Sequence, residues 1–263
     1  MNKILLFIPG YNCQNQITRV LSQLDESILK FIDEIIFINN RSTDNTEDAV
    51  RKFILEHQDM PIKILRNREN YNLGGSHKIA FRYAIDNDFD YIVVLHGDDQ
   101  GNIKDFYDIL KSSTYEKYDS ILGARFKRNS KLIGYSKFRI FGNKVYNFIF
   151  SLALFQPIYD LGSGLNMYKV SSLKNCYYEK FPDNLTFNYC MIMAANYYKQ
   201  NIKFMPISWR EDDQVSNVKM VSQAFSVLSL LMKYFFARGR FIKLELRQKE
   251  FLKYEYDDVT CLQ

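Results

Sequence analysis

Short apolar runs recur along the first half of the chain, at residues 4–8, 35–38, 62–65, 91–95 and 120–123. Between them lie stretches with apolar positions three and four apart, such as Ile17, Val20, Leu21 and Leu24, or Ala49, Val50, Phe53 and Ile54. Strand-length runs alternating with helical periodicity predict βαβ units and a parallel sheet. The run Tyr91-Ile92-Val93-Val94-Leu95 has no polar alternation, as expected of a strand covered on both faces.

Beyond residue 125 the pattern changes. Phe138, Phe141, Val145, Phe148, Leu152 and Phe155 mark one amphipathic helix, and Phe225, Leu228, Met232 and Phe235 mark another near the C-terminus. Residues 204–207 predict a late strand entering Trp209-Arg210. The simplest division is a main unit over residues 1–220 with a C-terminal helical extension over 221–263. Each aromatic stripe fits core packing, a homodimer contact or a peripheral membrane contact.

Polar clusters follow the strands. Tyr11-Asn12 follows the first, Asn39-Asn40-Arg41-Ser42-Thr43-Asp44 the second, and His96-Gly97-Asp98-Asp99-Gln100 the fourth. In an open parallel sheet the carboxyl ends of the strands border the ligand crevice, so these turns are expected to share one rim. Adjacent carboxylates repel, and a site that keeps Asp98 and Asp99 ionised usually supplies a cation. Oxygen ligands beside a diphosphate suit Mg²⁺ or Mn²⁺. A solvated turn capping the next helix is the competing reading of the same pair. Gly74-Gly75 precedes a helical stretch and is a candidate phosphate cradle or a tight turn. It matches neither G-x-G-x-x-G nor G-x-x-x-x-G-K-[ST]. Arg125, Arg128, Arg139, Arg210 and Lys219 are scattered candidate phosphate donors.

Composition narrows the classes. The net charge of +5 over 263 residues permits an anionic ligand or lipid surface, and no Lys/Arg-rich run marks a nucleic-acid partner. Cys13, Cys176, Cys190 and Cys261 form no C-x-x-C pair, which argues against a zinc site or a disulfide framework and suits a reducing compartment. The N-terminal apolar run is too short for a signal peptide, and no 18-residue uncharged apolar stretch occurs. A cytoplasmic chain, peripheral at most on the inner face of the membrane, is expected.

Together the motifs resemble family 2 glycosyltransferases of the GT-A fold, within them the dolichyl-phosphate-mannose-synthase-like branch. Ile8-Pro9-Gly10-Tyr11-Asn12 resembles the first-strand motif, and Asn39 to Thr46 resembles Asp-Asp-Gly-Ser-x-Asp-x-Thr. Asn72-Leu73-Gly74-Gly75-Ser76 is similar to the Gly-rich segment, and His96-Gly97-Asp98-Asp99-Gln100 to the metal-binding Asp-x-Asp-x-Gln. Gly123-Ala124-Arg125, Arg139 with Asn143, Asp160 to Tyr168, and Arg210 through Ser216 to Lys219 continue the likeness over about 220 residues.

The resemblance implies an α/β fold with a mostly parallel, Rossmann-like sheet flanked by helices. It also implies transfer of a hexose from a nucleoside-diphosphate sugar. On it, Asp98, Arg139 and Asp160 are expected at the catalytic centre. Asp98, His96, Asp99 and Gln100 would hold Mg²⁺ or Mn²⁺. Pro9, Tyr11, Asn39, Asn40, Ser42, Asp44, Gly74, Arg125, Arg210 and Lys219 would contact the donor, and Ser163 and Gly164 the acceptor. His96 stands at the first Asp of the metal motif, and two asparagines and an arginine replace the residues that lead the second-strand turn. No carboxylate stands in Thr186-Phe187-Asn188-Tyr189-Cys190, where many members place a general base. A phosphate monoester is already an anionic nucleophile, so the expected acceptor is a polyprenyl phosphate. A surface polysaccharide or lipid-linked glycan acceptor, with Asp160 as base, is the alternative. A nucleotidyltransferase and an inactive nucleotide-binding module are the rival classes.

Overall fold

The computed structural model describes residues 2–211, 220–249, 251 and 253–261, with the backbone alone for 220–224. In chain order, β1 (Ile4–Gly10), α1 (Ile17–Leu21), α2 (Glu26–Leu29), β2 (Glu34–Asn39), α3 (Thr46–Glu56) and β3 (Ile62–Asn67) form the first layers. Then come α4 (Asn72–Asp86), β4 (Tyr91–Leu95), α5 (Tyr107–Lys111), β5 (Ser120–Ala124), β6 (Lys131–Ile133) and α6 (Lys137–Leu154). The chain continues through β7 (Leu165–Lys169), α7 (Phe187–Tyr197), β8 (Ile202–Pro206), β9 (Ser208–Arg210), α8 (Met220–Phe236), α9 (Arg238–Lys243) and β10 (Tyr256–Asp258).

Eight strands make one sheet in the order β10-β3-β2-β1-β4-β7-β5-β8, while β6 and β9 pair separately. The expected parallel core is β3-β2-β1-β4, with Phe7 opposite Ile36 on one side and Val94 on the other. The chain winds outward from β1 to β3 and then returns to the far side of β1 with β4. That reversal is the topological switch point. β7 is antiparallel to both β4 and β5, an insertion the periodicity does not announce.

Alternation along β1 builds both core layers. Leu5 and Phe7 pack on the α4, α7 and α8 side, whereas Ile4, Leu6 and Ile8 pack toward α1, α3 and α5. Every residue of β1 is buried, which explains its unbroken apolar run. Full burial of a side chain such as Phe7 contributes about 2–3 kcal/mol.

The C-terminal segment does more than append helices. After α9 the chain returns to the sheet, and β10 pairs antiparallel with β3 from Tyr256 opposite Asn67 to Asp258 opposite Leu65. Among the described residues, no helix is long and apolar enough to cross a membrane.

Candidate functional site

The carboxyl ends of β1 and β4 meet at the switch point. Gly97 donates its N–H to Pro9 O at 3.0 Å, and a Cβ at Gly97 would lie only 3.0 Å from that same oxygen. Beside this close approach lies a cavity of about 450 Å³ along the rim. Of the residues singled out by sequence, Pro9, Tyr11, Asn40, His96 and Asp98 line it. Its remaining walls come from Cys13, Asn70, Asn72, Leu73, Ser76, Asn184 and Leu185, besides Gly10 and Gly97.

Asp98 is the cavity's acidic group. Burial raises its carboxyl from the ordinary 3.8 to about 6, against the backbone N–H of Gln100, which donates to Oδ1 at 3.2 Å. His96 Nδ1 lies 4.0 Å from Asp98 Oδ2. Burial, followed by the charge of Arg125, lowers the imidazole to about 4, so it is neutral and its nitrogen lone pair is available. Cys13 is neutral too, since burial pushes its thiol up to about 12.

These donor atoms fit a divalent cation in part. Two bonds of about 2.1 Å can span His96 Nδ1 and Asp98 Oδ2, and Mg²⁺ commonly takes only one or two protein ligands with phosphate oxygens completing its shell. Among the described residues, no three His, Cys, Asp or Glu side chains gather as a complete cation site. Asp99, expected as a ligand, is engaged elsewhere. Its carboxylate accepts from Arg19 Nε at 2.5 Å, from Gln23 Nε2 at 3.1 Å and from Arg210. Its φ of 58° turns the chain so that neighbouring carboxylates face different surroundings. Gln100 takes part through its backbone, donating to Asp98 and accepting from Arg210 N at 3.0 Å.

The second-strand turn is a hydrogen-bonded scaffold. Asn39 Oδ1 accepts from Ser42 N at 2.9 Å, and its Nδ2 donates to Glu47 at 2.8 Å. Burial opposes charge on Glu47, yet hydrogen bonds from Arg66, Asn39 and Arg51 lower its pKa to about 2. Ser42 Oγ accepts from Asn12 N, while Asp44 accepts from Gln14 N and from Thr46. Asn39, Ser42 and Asp44 therefore stitch the β1 and β2 loops together, and Asn40 is the member of this turn that reaches the cavity wall.

Three of the four expected phosphate arginines, Arg125, Arg139 and Arg210, hold carboxylates. Arg125 grips Asp160 with Nε and Nη2, each at 2.8 Å, and its backbone N–H also donates to Asp160. With Gly162 N as a fourth donor, the Asp160 acceptor sites are filled and the carboxylate is buried. Asp160 is thus not placed to take a proton from an acceptor hydroxyl. Arg139 pairs with Glu211, and Arg210 with Asp99. Lys219 lies outside the described residues.

Gly74 and Gly75 fall inside the first turn of α4 rather than ahead of it. The Gly74 N–H donates to Asp183 O at 2.6 Å, and a Cβ there would meet Pro182 O at 2.5 Å. The glycine therefore serves a helix–loop contact, and its N–H is not offered to phosphate. Ser163 Oγ is turned onto Leu165 O and Asn166 Oδ1 in the core. Gly164 seats the His96 ring, whose Cγ would be 2.6 Å from an added Cβ. The variant Gly164→Ala should cost about 1–3 kcal/mol through overpacking and displace His96. Thermal unfolding and Mn²⁺ titration would record both effects, and an unchanged titration would separate Gly164 from the site.

Sequence reasoning did not find Lys78 and Asp183. Lys78 is buried in α4, with Nζ 2.7 Å from Asp183 Oδ1 and 2.6 Å from Phe181 O. Tyr254, from the returning C-terminal segment, donates to the same Asp183 oxygen at 2.7 Å. This cluster fixes the loop that presents Asn184 and Leu185 to the cavity. A lone lysine amid apolar helix positions was its only signal.

Solved structures share this architecture. Glucosyl-3-phosphoglycerate synthase from Mycobacterium tuberculosis in complex with UDP aligns over 89% of this chain and 80% of its own, with TM-score 0.63 and 12% identity. The same enzyme with Mn²⁺, UDP and glucosyl-3-phosphoglycerate covers 98% of this chain and 87% of its own, at TM-score 0.60 and 11% identity. S. aureus TarS 1–349 with UDP-GlcNAc gives TM-score 0.58 at 17% identity over 87% of this chain and 65% of its own. Among curated sequences, the Saccharomyces cerevisiae protein ECM5 matches over 71 residues at 35% identity, 27% of this chain and only 5% of that protein's length. The order of the sheet and the helices flanking it are those of the GT-A fold. The profile of Glycosyl transferase family 2 matches residues 6–176, and the chain belongs to that family.

Proposed function

We propose that the protein moves a hexose, with inversion, from a nucleoside-diphosphate sugar to a polyprenyl phosphate, in the manner of the dolichyl-phosphate-mannose-synthase-like branch. The observation that carries the acceptor reading is the saturation of Asp160. Arg125 and Gly162 fill it, Lys78 and Tyr254 hold Asp183, and Arg139 holds Glu211. A hydroxyl acceptor needs a base, whereas a phosphate monoester arrives already ionised.

The base and ribose would lie along Tyr11 and Asn40, and the diphosphate beside His96 and Asp98. Asp98 and His96 would hold Mg²⁺ or Mn²⁺ together with the diphosphate oxygens. When bound, that cation neutralises charge building on the leaving diphosphate. An acceptor phosphate oxygen attacks the anomeric carbon from the face opposite the leaving diphosphate. The bond from that carbon to the diphosphate oxygen breaks, and its electron pair leaves with the diphosphate. Arg125 and Arg210 would add positive charge toward a phosphate approaching either ion pair.

The surface supports a lipid acceptor. Phe138, Phe141, Phe148, Leu152 and Phe155 are exposed on α6, as are Phe225, Met232 and Phe236 on α8. Neither α6 nor the 220–243 stretch contains a carboxylate, while Lys137, Lys144, Lys233, Arg240 and Lys243 are exposed there. Apolar rings flanked by cations suit an anionic bilayer. On its other side α6 is tied to the loop before Asp160, through Asn147 Nδ2 donating to Tyr159 O at 2.6 Å.

Transfer of labelled sugar to undecaprenyl phosphate, compared with free glycans, tests the acceptor; transfer to a glycan hydroxyl alone overturns it. Binding of a diphosphate without turnover on any acceptor would favour the inactive binding module. Vesicles with and without anionic lipid test the surface. Phe141→Ser/Phe148→Ser should lower cosedimentation about tenfold or more, given the transfer energy of two aromatic side chains. An unchanged vesicle fraction with loss of a dimer in sedimentation velocity would assign the stripe to self-association.

A further inference from the structure

The amides at the base end of the cavity have their oxygens and nitrogens fixed by backbone partners. Asn40 Oδ1 accepts from Tyr71 N at 2.9 Å and from Asn67 Nδ2 at 2.9 Å. Asn70 Oδ1 accepts from Asn72 N at 2.9 Å and from Asn40 Nδ2 at 2.8 Å. A backbone N–H can only donate, so neither amide can be flipped, and both carbonyl oxygens are filled. One hydrogen on Asn40 Nδ2 and both on Asn70 Nδ2 remain for a ligand. The cavity wall on this side therefore offers donors, and the carboxylate lining the cavity, Asp98, belongs to the β4 end.

We infer that Asn70, held by Asn40, reads the donor's base and selects a uracil-type base over guanine. This rests on the nucleotide-sugar reading of the same cavity. Uracil's pairing edge carries two carbonyl acceptors that amide hydrogens can meet and a single donor, N3–H. Guanine presents N1–H and an exocyclic amine along its pairing edge, and these need acceptors that neither asparagine has left. Burying them unpaired is what makes a polar site reject the wrong ligand. The half-exposed ring of Tyr11 lines the same cavity, supplying a face that any base can stack on, so discrimination falls to the amides.

Calorimetric titration of the full chain with UDP and with GDP, at fixed Mn²⁺, tests the assignment. Wild type should bind UDP about tenfold tighter or more, a difference of about 1.4 kcal/mol. In Asn70→Asp one oxygen still accepts from Asn72 and Asn40, so the turn persists, while the other replaces the base-facing donor. UDP affinity should fall about tenfold and the UDP-to-GDP ratio should move toward GDP. Asn70→Ala should lower UDP affinity and leave GDP unchanged; equal thermal unfolding of the variants would confirm that the fold is kept. GDP binding as tightly as UDP in wild type, or a ratio unmoved by either substitution, overturns the role of Asn70 while leaving the donor site standing. Absence of binding by both diphosphates would bring down the donor reading and this inference together.

Discussion

Replacing Asp98 by asparagine is expected to abolish sugar transfer and, at the same time, to make the free protein more stable. The carboxyl is raised to about 6 chiefly by burial. The sign follows from linkage: a raised carboxyl favours the protonated folded form, so its ionisation costs stability as pH climbs from about 4 to about 6. A shift of about two units corresponds to about 3 kcal/mol, and partial exposure of the side chain reduces this to about 1–2 kcal/mol. The neutral amide removes that cost at pH 7.5 and changes nothing at pH 4. Calorimetric melting at the two pH values reads the difference. Addition of Mn²⁺ with a nucleoside diphosphate should reverse the order, stabilising wild type alone. Turnover of Asp98→Asn should drop about a thousandfold or more, as when a principal group stabilising transition-state charge is lost. A destabilised variant would show that the carboxylate is not strained by burial, and one that still turns over would show that it is not matched to a cation.

Lys78→Met should have the largest effect on folding. Its ammonium is 2% exposed at the side chain and donates to Asp183, Phe181 O and Tyr254. Removing one member of a buried pair leaves the other charge without compensation, at about 3–5 kcal/mol. Denaturant unfolding of Lys78→Met, Asp183→Asn and the double variant forms a cycle in which the double variant should recover part of the loss. Additive losses would mean the pair is not coupled. Because this pair holds the loop bearing Asn184 and Leu185, Lys78→Met should also weaken diphosphate binding in whatever fraction stays folded.

The strands buried on both faces were the most legible part of the chain. β1, β2 and β4 read as apolar runs because helices cover both sides of the sheet. β7 was hidden because Asn166, near its start, is buried and satisfied by Ser163 O and Gly123 N. The GT-A character and the family came from motif order, which survives even where single residues change. Side-chain partnerships did not come through. Arg125 meets Asp160 across 35 positions, Arg139 meets Glu211 across 72, and Arg210 meets Asp99 across 111. A motif gives the residue type at a strand end, but whether an arginine faces a ligand or a carboxylate is decided by such distant segments. The two adjacent aspartates illustrate the same limit: Asp98 lines the cavity and Asp99 is drawn into a cluster with Arg19 and Arg210.

β10 follows every other described strand in the sequence, and that order bears on how the sheet is assembled. Residues 256–258 complete the β3 edge, and Tyr254 just before them closes the Lys78 cluster next to the cavity. During synthesis the ribosome releases the strands from β1 to β8 before that last strand exists. The nascent chain must therefore wait with an open β3 edge, the kind of surface on which strands of other chains can pair. Arg66 and Lys63 already have Glu47 and Glu34 as partners, but Arg68 pairs with Glu255 and Asp257 of the last segment, so it leaves a cation on that edge during the interval and disfavours pairing with a second copy.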